Sequence, residues 1–214
     1  MSLGPARAPA RRPLAGERVR LEPLDPDRHA EALYAAALAG DSRLWDYLPY
    51  GPFGSAGELR AHLARQASSS DPLFFAVVEG ATGRAAGVVS YLRIEPEHGC
   101  IEIGHIWLAP RLQRTRAATE ALVLLLRHAM DDLGYRRMEW KCNAANEPSR
   151  SAAARLGFHF EGIFYNHMVF KGRNRDTAWF SILDTEWPAV REAFETWLAP
   201  ENFDADGRQR TPLR

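Results

Sequence analysis

A chain of 214 residues is long enough for one domain with a sizeable core, and its 27 Lys plus Arg balance 27 Asp plus Glu. That balance supplies no global field for nucleic acid or an anionic membrane, so any phosphate recognition has to be local. No run of eighteen apolar residues exists, and prolines rather than an apolar stretch follow the first arginines, so the chain is expected to be neither membrane-spanning nor exported. Its two cysteines, Cys100 and Cys142, lie in strand-like apolar runs and read as buried thiols in a reducing, cytoplasmic setting.

Residues 1–16 (MSLGPARAPARRPLAG) are rich in Pro, Ala and Arg and cannot build a core, which predicts a mobile or extended arm. Period-two alternation at Arg18–Leu24 predicts a strand, and Asp25-Pro26 opens a helix striped by Ala30, Leu33, Ala37 and Leu38. A Pro/Gly-rich hinge then separates two helical pieces; its Trp45, Tyr47, Tyr50 and Phe53 either wall a pocket or anchor a helix pair on a sheet. Strands are expected at Leu73–Val78 and Ala85–Ile94 around the tight turn EGATGR, with Cys100–Leu108 continuing the meander. A long helix striped by Ala118, Leu122, Leu125, Ala129 and Leu133 leads to a strand at Tyr135–Cys142. A short helix closed by Gly157-Phe158 comes next. Phe158, Phe160, Phe164, Met168 and Phe170 then alternate as an apolar strand face against His159, Glu161, Tyr165 and His167. KGRNRD reads as the turn into a final strand, Thr177–Leu183, before a closing helix over Asp184–Leu198 and a polar tail at residues 200–214. This order predicts one α/β (α+β) domain over residues 17–199, a mixed sheet with helices on both faces.

Two segments carry chemistry. Pro110 ends a strand, and the basic run Gln113-Arg114-Thr115-Arg116-Ala117-Ala118-Thr119 leads into the long helix. Free N–H groups of a first turn form a partial positive site for phosphate, and Arg111, Arg114 and Arg116 add full charges; the plainer reading is a solvated basic helix start. The second segment is Asn143-Ala144-Ala145-Asn146-Glu147-Pro148-Ser149, where Asn146 and Ser149 suit an Asx turn and helix cap.

Taken together, Gln113–Ala121, with its Thr119-Glu120-Ala121, and Asn146–Ser149 followed by Leu156-Gly157-Phe158 resemble the GNAT acetyltransferase superfamily, in its RimJ/RimL-like branch. The resemblance covers about Gly16 to Leu198. It implies a mostly antiparallel sheet of about six or seven strands, splayed at Cys100–Leu108 and Tyr135–Cys142, with acyl-CoA lying in the resulting V. In register with the family, Arg116 stands where a glycine lets the backbone approach the pyrophosphate, so the arginine either swings outward, contacts phosphate itself or weakens binding. The likeness further implies that Gln113, Arg114, Thr115, Arg116, Ala117, Ala118 and Thr119 bind the cofactor. It implies a bulged strand whose backbone at Ile106, Trp107 and Leu108 faces the acetyl carbonyl, and Asn146 and Ser149 near the pantetheine arm and the departing thiolate.

The activity so implied is acetyl-CoA-dependent N-acetylation of a primary amine, a protein α-amine or a small-molecule amine, by direct attack. Many family members place a tyrosine acid where Ala153 stands, which leaves Ser149 as the hydroxyl. Glu102 matches the family's strand-borne glutamate and is the expected base; His105 and His167 compete for that role, although a strand histidine is often structural. Strict alternation puts Glu102 and His105 on opposite faces unless a bulge intervenes. Arg173, Arg175 and Asp176 either orient the acceptor or form an exposed charged turn. No ligand spacing suggests a metal. Neither nucleic acid nor membrane is an expected partner, and the terminal strand and aromatic hinge are candidate surfaces for a homodimer. The contrasting function is a non-catalytic acyl-CoA sensor or interaction module, motivated by Arg116 and the missing tyrosine.

Overall fold

The computed structural model describes residues 4–213. One eight-stranded sheet organises them, in the order β1-β2-β3-β4-β5-β6-β8-β7. The strands are β1 (Leu14–Ala15), β2 (Val19–Pro23), β3 (Leu73–Glu79), β4 (Ala85–Glu95), β5 (Cys100–Leu108), β6 (Arg137–Asn143), β7 (His159–Phe170) and β8 (Arg173–Leu183). All pairs are antiparallel except β5 with β6. The strand count exceeds the expected six or seven through the two-residue β1, which no side-chain pattern announces.

The described part of the expected arm, residues 4–16, is held against the domain. Ala6 N–H donates to Pro96 C=O (3.0 Å), Arg7 N–H to Leu133 C=O (2.9 Å), and β1 pairs with β2. Glu120 fixes the entry to β2, its carboxylate accepting from the N–H groups of Glu17, Arg18 and Val19 at 2.8–3.1 Å. Three backbone donors on one carboxylate make a strong charge-assisted anchor. The polar tail is also folded onto the domain: Trp197 Nε1 donates to Gln209 Oε1 (2.9 Å), Asn202 bonds Trp197 C=O and Thr211, and Leu213 is buried.

Helices start where capping side chains meet apolar stripes. Asp25 caps α1 (Pro26–Leu38), with Pro26 in the first turn where no N–H is needed. Ser55 caps α2 (Ala56–Ser68) while Glu58 reaches back to Gly54 N–H, a reciprocal box. The buried face of α1 is His29, Ala30, Leu33 and Ala36; Leu38, assigned to the stripe from sequence, is exposed at the helix end. On α3 (Arg116–Arg127), Ala118, Leu122 and Leu125 face the core as the stripe predicted, joined by Ala121 and Leu126, and a π-helical turn at His128–Asp132 carries the stripe on to the buried Ala129 and Leu133. α4 (Glu147–Arg155) ends at Gly157, whose φ of +83° lets Phe158 N–H reach back to Ala153 C=O (3.0 Å). α5 (Trp187–Leu198) closes the domain through Trp187, Phe194 and Trp197.

The β7–β8 hairpin departs most from expectation. Only Lys171 and Gly172 form the turn, and Arg173 already pairs with Phe170. The alternating face of β7 is not buried: Phe160, Phe164 and Met168 are 44%, 53% and 41% exposed. β7 is the sheet edge, and register shifts at Phe160/Gly162 and Phe164/Met168 interrupt the alternation that the sequence pattern assumed.

Candidate active site

The parallel pairing of β5 with β6 lasts only from Cys100–Arg137 to Glu102–Glu139. Beyond it the strands part, and a cavity of about 870 Å³ opens between them. Its walls are β5, β6, the α4 start, the hinge around Tyr47 and the β7–β8 hairpin. Burial alternates along β6, with Met138, Trp140 and Cys142 inside and Arg137, Glu139, Lys141 and Asn143 on the other face. Trp140 and Cys142 from one face of β6 and Lys141 and Asn143 from the other all line the cavity, so the gap borders both faces of the sheet.

A bulge lies on β5 as expected. Ser90 pairs with Gly104 and Val88 with Trp107, so two steps on β4 span three on β5. His105 absorbs the extra residue with φ of +51°, and Ile106 falls outside the ladder beside the cavity. The opposing β4 backbone comes so close that a Cβ at Gly87 would lie 2.5 Å from Trp107 C=O, which leaves glycine as the residue that fits there.

Glu102 stands where the strands part. Its buried Oε2 lies 3.0 Å from Arg93 Nε and 3.1 Å from Lys141 Nζ, and Lys141 also contacts Glu139 at 2.6 Å. Burial pushes the Glu102 carboxyl above the ordinary glutamate range, against the pull of Lys141 and Arg93. Lys141 was not singled out from sequence, yet its Nζ is buried and sits 4.0 Å over the Trp179 ring. A lysine inside RMEWKCN, in period-two register with Glu139, was the available signal.

Both candidate histidines line the cavity, in different settings. The His105 ring packs nearly parallel to Tyr50 (5.7 Å between centroids) and against Phe74; its Nδ1 has no partner and burial lowers its pKa. That aromatic group includes Trp45 and Phe53, so the hinge anchors on β5 while its Tyr47, Leu48 and Pro49 wall the cavity. His167 faces the cavity and its Nδ1 lies 2.9 Å from Thr177 Oγ1.

At the α4 start, Asn146 Oδ1 accepts from Ser149 N–H (3.2 Å) and Ser149 Oγ accepts from Trp140 Nε1 (3.0 Å), both residues lining the cavity. With its oxygen receiving the indole N–H, the Ser149 hydroxyl proton is available to a third atom.

At the α3 start, Thr115 Oγ1 accepts from Ala118 N–H (3.1 Å) and donates to Leu112 C=O (2.7 Å), while Thr119 N–H reaches Thr115 C=O. The amides of Arg116 and Ala117 precede that first intrahelical bond. Arg116 itself turns away: its guanidinium donates to Leu198 C=O at the end of α5 and lies 4.4 Å over the Phe203 ring. The Thr119 hydroxyl accepts from Arg155 Nη1 (3.1 Å), and Arg111 pairs with Glu79 (2.7 Å). Gln113 Nε2 donates to Leu108 C=O (2.8 Å) at the cavity wall, and Arg114 turns the loop with φ of +62°.

The splayed sheet, the bulge and the two helix starts coincide with a comparison at sequence level, in which the acetyltransferase (GNAT) domain family matches residues 18–159. The chain is a member of the GNAT family. A GCN5-related N-acetyltransferase from Brucella melitensis is 48% identical with a TM-score of 0.96, covering 99% of this chain and 96% of that one. A GNAT-family structure from Chromobacterium violaceum ATCC 12472 is 44% identical, TM-score 0.81, covering 87% and 93%. The ribosomal-protein-serine acetyltransferase of Escherichia coli K12 is 38% identical over 76 residues, 36% of this chain and 42% of its own length. The family match and these likenesses make the GNAT domain an acyltransferase domain. An uncharacterized N-acetyltransferase, p20 of Bacillus licheniformis, is 29% identical over 113 residues, 53% of this chain. The chain spans 63% and 42% of the length of these two curated relatives, p20 and the E. coli enzyme. Among the described residues, no three His, Cys, Asp or Glu side chains gather as a metal group, and no helix is long and apolar enough to cross a membrane.

Proposed function

We propose that this GNAT enzyme is an acetyl-CoA-dependent N-acetyltransferase acting on a primary amine, a protein α-amine or a small-molecule amine, by direct attack in a ternary complex. The observation that carries this reading is the two-faced gap at the β5–β6 divergence, with Ser149 on the Trp140 side and Lys141, Thr177 and His167 on the other. Two reactants can then approach one point from opposite sides of the sheet, the arrangement a ternary complex needs.

The residues fit acetyl-CoA. The outward turn of Arg116 supports this reading, because it leaves the first-turn amides of Arg116 and Ala117 clear for a pyrophosphate. Gln113, Arg114 and Thr115 would flank that anion site; Ala118 and Thr119 support it through bonds already made within the turn. The β5 backbone at Ile106, Trp107 and Leu108 would hold the pantetheine arm, with Asn146 and Ser149 across the gap. Bound acetyl-CoA supplies the thioester carbon that the amine attacks.

The chain's own groups then divide the proton work. Glu102, held above the usual carboxylate range, takes the amine proton directly or through a water. Before the transfer, its buried partner Lys141 keeps the carboxylate form of Glu102 from being an isolated charge. The Ser149 hydroxyl, oriented by Trp140, donates toward the departing sulfur, and the unladdered backbone at Ile106 faces the carbonyl oxygen. His167 is the alternative base on the acceptor side. His105 is less suited, since its ring lies within the aromatic stack.

Calorimetry with coenzyme A and thiol release over a panel of amines test the proposal. Binding together with thiol release on at least one amine is the expected result. Binding without turnover on any amine would transfer the case to an acyl-CoA sensor, and absence of binding would sink both.

A further inference from the structure

Charges around the cavity are nearly all paired. Arg43 is bound by Asp41 (2.9 Å), Arg93 by Glu102 (3.0 Å), and Lys141 by Glu102 and Glu139. Two lining charges have no ion-pair partner among the described residues: Asp46, an exposed hinge carboxylate, and Arg175, the one cation so placed. Its Nε is buried without a hydrogen-bond partner, and its guanidinium lies 5.6 Å from the Phe170 ring centre. The neighbouring carboxylate, Asp176, is occupied by Asn166 N–H (2.8 Å) and Asn174 Nδ2 (3.0 Å). Arg173 is exposed and lies outside the cavity lining. Of the three hairpin residues considered from sequence, one therefore reaches the cavity with its charge unanswered.

The position of that charge is well defined. Arg175 shares a β8 face with Thr177, whose hydroxyl holds His167, and with Trp179, which covers Lys141. It therefore stands on the acceptor side of the gap, across the sheet from Ser149 and Trp140. The hairpin is pinned over the cavity by Lys171 Nζ donating to Trp45 C=O (2.8 Å), and Tyr47 O–H bonds Ala145 C=O (3.1 Å) on the other flank. A guanidinium so placed is always charged and offers a planar fork of donors. Leaving it half-buried and unpaired costs free energy that a bound anion would recover.

We propose that Arg175 is the specificity residue for the acceptor, and that the acceptor is an amine carrying a carboxylate, which Arg175 binds while the amine lies toward Glu102. This rests on the amine-acceptor reading above and deepens it. A single unpaired cation matches one monovalent carboxylate better than a dianionic phosphate, which would call for a second. The net effect is electrostatic sorting: a neutral amide analogue leaves the guanidinium desolvated and unanswered.

The test is a matched-pair acceptor assay on the full chain with acetyl-CoA, comparing amino acids and dipeptides with their amides, and phosphoethanolamine with ethanolamine. The expected preference of kcat/KM for carboxylates over amides is about tenfold or more, the scale of a hydrogen bond to a charged group. Arg175→Gln should abolish that preference by raising the KM of the carboxylate acceptor while turnover of the amide holds or rises and coenzyme A binding persists, and Arg175→Lys should restore part of it. Equal use of acids and amides by the unaltered enzyme, a preference for the phosphomonoester, or an equal loss on both members of each pair in Arg175→Gln would overturn the inference. Turnover on amides would keep the acetyltransferase proposal standing in each case, whereas no turnover on any amine would sink that proposal and this one with it.

Discussion

Two helix starts border the cleft, α4 through Asn146 and Ser149 in its wall and α3 through Gln113 just ahead of it, and they use the same local physics for different ends. At α3, Thr115 caps the first turn and the side chain that departs from the family pattern, Arg116, leaves the cleft for Leu198 C=O and the Phe203 ring. At α4, Asn146 caps the first turn and the side chain that follows, Ser149, enters the cleft and is aimed by Trp140. At α3 the backbone is what remains for a ligand, and at α4 the side chain is. A residue at a helix start is thus read correctly only once it is known which way the turn faces, since N–H groups point along the axis while side chains point outward around it.

The contrast predicts unequal responses to substitution. Ser149→Ala should produce the largest effect, a fall in kcat on the order of a hundredfold, typical of losing a positioned proton donor, with coenzyme A affinity little changed. Single-turnover kinetics beside calorimetry would separate the two, and an unaltered kcat would remove Ser149 from the chemistry. Next comes Glu102→Gln. The raised pKa of Glu102 means that its proton persists above the ordinary glutamate range, so a base role makes the rate climb as pH rises through that raised value. The substitution should lower kcat about tenfold or more and erase that acidic limb of the pH–rate profile. A profile that keeps the same limb would assign the base elsewhere, with His167 the next group to change. Arg116→Gly should have the smallest catalytic effect, because the side chain does not reach the cleft. Coenzyme A affinity is expected to stay within about threefold, while stability falls by about 1–2 kcal/mol from the lost hydrogen bond and ring contact. For a domain of this size that is a drop in Tm of about 2–8 °C by calorimetry. A large loss of coenzyme A affinity at unchanged Tm would mean that the arginine binds phosphate after all, and the contrast between the two starts would fail.

Much of the frame was legible in the residues. Asp25-Pro26 and Gly157-Phe158 marked helix limits through bonds that involve only near neighbours, and each forms as written. The stripe of α3 and the bulge on β5 were also foreseen. The β7–β8 turn was read as too long, and the apolar face of β7 proves exposed, because alternation reports a side-chain period and not whether a second layer exists to cover it. Glu120 shows the same limit from another side. It belongs to the Thr119-Glu120-Ala121 run that suggested a ligand loop, yet its carboxylate holds the start of β2, a partner about a hundred residues away in the chain.

Local order in this protein follows from contacts within a few residues: caps, turns, the apolar stripe and the two helix starts with their chemistry. Those interactions have a fixed sequence spacing, so a single chain displays them. The direction of Arg116, the burial of Glu102 between Arg93 and Lys141, and the isolation of Arg175 depend instead on strands and helices brought together from distant positions. A charge acquires or lacks a counter-charge only when the sheet closes, and burial then decides how strongly it matters. Charge balance over 214 residues could say that any anion site must be local. The folded cleft is where one arginine is left over.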